Sequence, residues 1–157
     1  MIGGEVEKKS FKILTYCLIL FRKAVLYRRS EDGRREVYID VKNSGHIIRF
    51  LEKEPVIARK VYLVIQQLTF GYKPARDLYQ RENIERGCEH VWAIKPARGR
   101  KNPRIYCQQY NLKDRQIFVV VLSELLEKKK TQKPGHRERA IIRRVAGYNY
   151  ELAEDNE

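Results

Sequence analysis

The residues best suited to chemistry in this chain are cationic and aromatic. Arg104, Tyr106 and Gln108 fall at alternate positions of one apolar stretch, so on a strand they share one face while Ile105, Cys107 and Gln109 share the other. Lys95 closes the preceding strand-like stretch, and Arg98, Arg100 and Lys101 occupy the connection between the two. Lys128, Lys129, Lys130 and Lys133 follow the next stretch, and Arg137 opens a basic segment after them. Three antiparallel strands would gather these groups on one side of a sheet. Guanidinium and ammonium groups hold phosphodiesters, and an aromatic ring can stack on an unpaired base. RNA also carries its own nucleophile, the 2′-hydroxyl. Clustered Arg and Lys can stabilise charge on the phosphate without a metal, and a lysine can serve in proton transfer.

Other chemistries find little support. His46, His90 and His136 are far apart in sequence and not on each other's helical faces, and Cys17, Cys88 and Cys107 have no CxxC spacing; no metal site and no cofactor is expected. Nucleotide-binding GxxxxGK[ST] and GxGxxG motifs are absent, as are GxSxG and HExxH. Trp92 and His90 are expected in the core.

The whole chain fits a polyanionic partner. Its 157 residues carry a net charge of +13 with 34% charged and 43% hydrophobic residues, the composition of one soluble domain. Three sparse cysteines suit a reducing cytoplasm. The apolar run Ile13 to Phe21 is too short to span a membrane.

Several elements must position these residues. Phe11, Leu14, Leu18, Phe21 and Val25 step by three and four, which predicts an N-terminal helix, although Tyr16, Cys17 and Ile19 also suit a strand. Ser30-Glu31-Asp32-Gly33 predicts a turn between strand-like Ala24 to Arg29 and Arg35 to Val41. Ser44 is a candidate N-cap for a short helix. Pro55 opens a longer one, its apolar stripe running from Ile57 through Val61, Val64, Ile65 and Leu68 to a stop at Gly71. Residues 72–87 read as connection. Strands follow over 89–95, 104–110 and 116–122, the last apolar throughout and therefore central. Gly135 to Ala146 is a basic amphipathic helix, and the acidic segment from Glu151 reads as a frayed tail.

The order of these elements, and residues within them, resemble the RelE/HigB family of bacterial toxins from about Val37 to Tyr150. The resemblance rests on Val91-Trp92-Ala93-Ile94-Lys95, on Pro103-Arg104-Ile105-Tyr106, on the apolar strand leading into Lys129-Lys130-Thr131-Gln132-Lys133, and on the basic helix ending near Tyr148. It implies an α+β fold in which N-terminal helices pack on an antiparallel sheet followed by a C-terminal basic helix. Residues 1–30 would be a helical extension, 31–150 the toxin domain and 151–157 a tail. It also implies an endoribonuclease that cuts mRNA on the ribosome, in the cytoplasm, and that a cognate antitoxin neutralises. Family catalytic residues carry over to Arg104, Lys95, Lys129 and Tyr148, with Arg98, Arg100, Lys101, Tyr106, Lys128, Lys130, Lys133 and Arg137 holding RNA. Ser123-Glu124-Leu125-Leu126 stands where the family usually carries a His-Gly-Phe-like step. That departure keeps a second reading open, a non-catalytic binder of RNA or of a protein target. A homodimer through the N-terminal helix is a further expectation.

Overall fold

The computed structural model describes residues 21–99, 101–128 and 135–154. The first described segment forms a hairpin. Strand β1 (Phe21–Arg29) turns at Ser30 to Gly33 into β2 (Arg35–Asp40). Gly33 takes φ 71°, a conformation that costs glycine little, and the Ser30 hydroxyl donates to Asp32 Oδ1 at 2.6 Å inside the turn. Helices α1 (Val41–Lys53) and α2 (Pro55–Phe70) follow. Strands β3 (Tyr79–Arg81), β4 (Val91–Ile94), β5 (Arg104–Leu112) and β6 (Ile117–Leu126) form a meander. Helix α3 (His136–Ala146) and strand β7 (Asn149–Ala153) complete the described order.

The strands make one seven-stranded sheet in the order β3-β4-β5-β6-β2-β1-β7. The pairing is mixed: β2 runs parallel to β6 and β1 parallel to β7, while β1–β2, β3–β4, β4–β5 and β5–β6 are antiparallel. This overturns the expected arrangement of N-terminal helices on an antiparallel sheet. The first described elements are strands, and the helices come after them. The helical crossover from β2 and the long excursion through the meander give the chain enough length to bring β6 back beside β2 in the same direction, which a tight turn cannot do.

Three local expectations are also corrected. Phe21 to Val25, read as the end of a helix, is strand; residues 11–20 of that expected helix lie outside the described residues. Its apolar residues fall on adjoining stripes, a pattern a paired strand also satisfies. Glu151 to Ala153, read as the start of a frayed tail, is the second half of β7, aligned with β1 at Lys23↔Glu151 and Ala24↔Leu152, and residues 155–157 lie outside the described residues. The N-cap of α1 is Asp40, whose Oδ1 accepts from Asn43 N at 3.0 Å, whereas the Ser44 hydroxyl donates to Val41 O inside the first turn. Pro55 does open α2, and Gly71 ends it with φ 81°.

β6 is central, as its unbroken apolar run requires. One sheet face, with Val37, Ile105, Val120 and Leu122, is covered by α1 and α2 through Ile47, Val61, Ile65 and Leu68. On the other, α3 lays Ile141, Ile142 and Val145 against Val91, Ala93, Tyr106 and Leu126. Farther along that second face Tyr38, Val119 and Val121 meet Tyr110 and Tyr150. Asp40, 0% exposed, accepts from Arg22 Nε at 2.8 Å, Arg22 Nη2 at 3.0 Å and Tyr150 Oη at 2.7 Å. One carboxylate thus joins β1, β2, α1 and β7. No helix among the described residues is long and apolar enough to cross a membrane.

Candidate functional site

The β3–β4–β5 register assembles a polar cluster beneath the N-terminal end of α3. Ile94 pairs with Ile105, so Lys95, one residue beyond, lies beside Arg104. Gln80 pairs with Ala93, and Ala93 with Tyr106. Alternation puts Lys95, Ala93, Arg104 and Tyr106 on the α3 side, as expected from sequence for Arg104, Tyr106 and Gln108. Gln108 confirms the facing by donating from Nε2 to Val145 O and Tyr148 O, both at 2.7 Å.

Lys95 Nζ donates to Gln80 Oε1 at 2.8 Å and lies 3.3 Å from Glu82 Oε1. It is therefore held at a fixed place instead of sweeping through solvent. Arg104 is 8% exposed. Its Nη1 donates to Asn102 Oδ1 at 2.7 Å and to Pro103 O at 3.0 Å, while its Nε is buried without a partner. It makes no ion pair with a described carboxylate. Burial lowers its pKa, Arg98 adds to that, and the more distant carboxylates of Glu82 and Glu138 act the other way. Glu138, on the first turn of α3, is itself buried. Tyr106 is 2% exposed, and burial raises its hydroxyl pKa well above the ordinary value. It is a wall of the site rather than an open stacking platform.

The remaining candidates scatter around this cluster. Leu126 is the cross-strand partner of Arg104, and Lys128, two residues beyond it, is exposed. Lys129, Lys130 and Lys133 lie outside the described residues, as does Arg100. Arg137 is exposed on α3. Arg98 is exposed and 3.8 Å from Asp77, and Lys101 is paired with Glu54. Tyr148 is placed elsewhere. α3 follows β5 from Arg104 toward Gln108, four residues and about 13 Å away at a strand rise of about 3.3 Å per residue. Tyr148 lies at that far end, donating to Glu124 Oε2 at 2.8 Å beneath the Arg22 guanidinium, 4.0 Å from its ring centroid.

No family model, characterised protein or solved structure matches this chain.

Glu82, Gln80 and Glu138 went unseen in the sequence. Gln80 and Glu82 lie in a segment that reads as connection, and only the three-residue pairing of β3 with β4 brings them to Lys95. A Glu at the first turn of a basic helix is a familiar dipole-compatible residue and carries no signal of its own. His90, expected in the core, is partly buried with Nε2 3.0 Å from Ala146 O. Cys88 and Cys107 are buried free thiols, and burial raises the pKa of each. Among the described residues no group of three His, Cys, Asp or Glu side chains is placed to hold a metal ion.

Proposed function

We propose that this chain is the toxin component of a toxin–antitoxin module and cleaves mRNA through the Arg104 cluster. The observation that carries the reading is Arg104 itself: a buried guanidinium with an unused donor and, among the described residues, no carboxylate paired to it. A buried cation of this kind is short of an anion, and a phosphodiester supplies one with the planar geometry a guanidinium prefers. The net charge of +13 draws such a polyanion to the surface.

In the proposed reaction the 2′-hydroxyl attacks the adjacent phosphorus. The P–O5′ bond breaks, leaving a 2′,3′-cyclic phosphate and a 5′-hydroxyl. Arg104 faces the non-bridging oxygens and stabilises the charge that builds on them. The Lys95–Glu82 pair places an acceptor and a donor side by side: the Glu82 carboxylate takes the 2′ proton and the Lys95 ammonium returns one to the departing 5′ oxygen. A flexible mRNA on the ribosome is the substrate, and an acidic antitoxin segment covering this face is the inhibitor.

The 8% exposure of Arg104 favours a second reading, an RNA binder that does not cut. A translation extract programmed with one labelled message separates the two. Cleavage predicts shortened message with wild-type protein and full-length message with Arg104→Ala. Retention of label on intact message at saturating wild-type protein supports binding without cleavage and sinks the enzymatic reading.

A further inference from the structure

Across the sheet from Arg104 lies a cleft of about 550 Å³ that the cleavage reading does not use. It opens on the α2 side, between the end of that helix and the edge strand β3. Trp92 forms its floor. The indole stacks on Tyr79 with ring centroids 4.9 Å apart and planes 19° from parallel. Tyr79 is fixed beneath it, its hydroxyl donating to Gln109 Oε1 at 2.7 Å. The Arg81 guanidinium is 5.2 Å from the indole centroid. On the opposite wall Arg35 stands 4.3 Å from the centroid of Phe118, anchored by donation from Nε to Leu68 O at 2.6 Å. Lys73 and Arg76 complete the rim. These four cations line the cleft and no described Asp or Glu does; Glu89 lines the adjoining hollow, which shares Arg81, Trp92 and Phe118 with it.

The combination is selective. A core tryptophan would be sealed under apolar neighbours, but Trp92 is only partly buried and opens into the cleft. A solvated basic rim would normally be interspersed with acids, as elsewhere on this chain, where Arg143 pairs with Glu85 and Arg144 with Glu124. Aromatic rings ringed by cations match a ligand that is itself an aromatic ring carrying phosphate. The volume lies within the roughly 300–1,000 Å³ of small-ligand sites.

We propose that this cleft binds a nucleotide, its base against Trp92 and Phe118 and its phosphate between Arg35 and Arg81. The site lies on the other sheet face from Arg104 and shares Gln80 of the edge strand with that cluster, but it needs neither Arg104 nor the Lys95–Glu82 pair. The nucleotide can be free or part of a single-stranded RNA.

Trp92 is the one tryptophan of the chain and reports directly. The full chain is titrated with AMP, adenosine, inorganic phosphate and a five-residue oligoadenylate while Trp92 fluorescence is followed, with equilibrium dialysis of radiolabelled AMP as a second readout. Saturable binding of AMP is expected, at least about tenfold tighter than adenosine or phosphate, and Arg81→Ala should weaken it by about tenfold, within the range that one stacked, charge-held base supplies. Arg81 is exposed, so its replacement leaves the fold intact. The Arg104→Ala protein should bind AMP as wild type does, whether or not cleavage is lost. A pentanucleotide that binds tenfold tighter than AMP assigns the cleft to RNA; the reverse order assigns it to a free nucleotide. Phosphate binding as tightly as AMP, or no saturable AMP binding in either readout, overturns the proposal.

Discussion

Replacing Arg104 with Met separates a functional residue from a structural one. Burying a guanidinium costs several kcal/mol even after relaxation, and an orphaned buried donor adds about 1–3 kcal/mol. Against this stand the two hydrogen bonds from Nη1, at about 1.5–3 kcal/mol each for a charged donor, and the attraction of Glu82 and Glu138, neither of which reaches ion-pair distance. Methionine retains most of the packing of the stem and presents no charge. Buried charges exchanged for apolar groups of similar volume often leave a protein more stable by about 1–4 kcal/mol. Because Asn102 is only half-buried and can turn to water, the balance favours the variant by about 1–2 kcal/mol. That raises Tm by roughly 3–6 °C in a domain of this size. Thermal unfolding by circular dichroism and message cleavage are measured on the same preparation. The expected outcome is a more stable, inactive protein. A variant destabilised by 2 kcal/mol or more would refute the reasoning and make Arg104 a structural residue.

Asp40→Ala should cost about 3 kcal/mol in urea unfolding, because it strips a buried ion pair and the α1 cap together, tempered by the 17% exposure of the Arg22 side chain; a loss under 1 kcal/mol would mean that β1 and β7 are not tied to the sheet through this carboxylate. Tyr38, Tyr110 and Tyr148 have hydroxyl pKa values pushed up to about 12 from 10.0, by burial first, with Glu36 adding to the shift of Tyr38 and Glu124 to that of Tyr148. These folded-state values lie above the unfolded ones, so the associated stability is complete below pH 10 and is lost as pH rises through 12. Ultraviolet titration should show these phenols ionising late, and urea midpoints should hold from pH 7 to 9 and fall between 10 and 12; a midpoint that rises over that interval would contradict the sign.

Much of the strand content was legible in the sequence because its period is strong. The alternation of Arg104, Tyr106 and Gln108 against Ile105 and Cys107 predicted the two faces of β5, and the unbroken apolar run of β6 predicted its central place. The stripe from Ile57 to Leu68 predicted α2. The parallel pairings were not legible, since strand direction depends on where a long connection returns and no local pattern encodes that. β7 was hidden because Glu151 and Glu154 look like a tail, while its partly buried residues, Tyr150 and Leu152, take their strand pairing from β1, over 100 residues away. In the site, Arg104 stood out as a cation in an apolar stretch. Its neighbours Gln80 and Glu82 did not, because β3 is three residues long and becomes a strand only through its pairing with β4. Trp92 reads as core by residue type, and only the end of α2 at Gly71 leaves its ring open to a cleft.

The central claim is that the Arg104 cluster cuts RNA by 2′-hydroxyl attack. End-group analysis of message recovered from ribosomes after exposure to purified protein tests it most directly. Fragments ending in a 2′,3′-cyclic phosphate are expected, paired with fragments that begin with a 5′-hydroxyl, and none with Arg104→Ala. Fragments that begin with a 5′-phosphate, or equal cleavage by the variant, would contradict it.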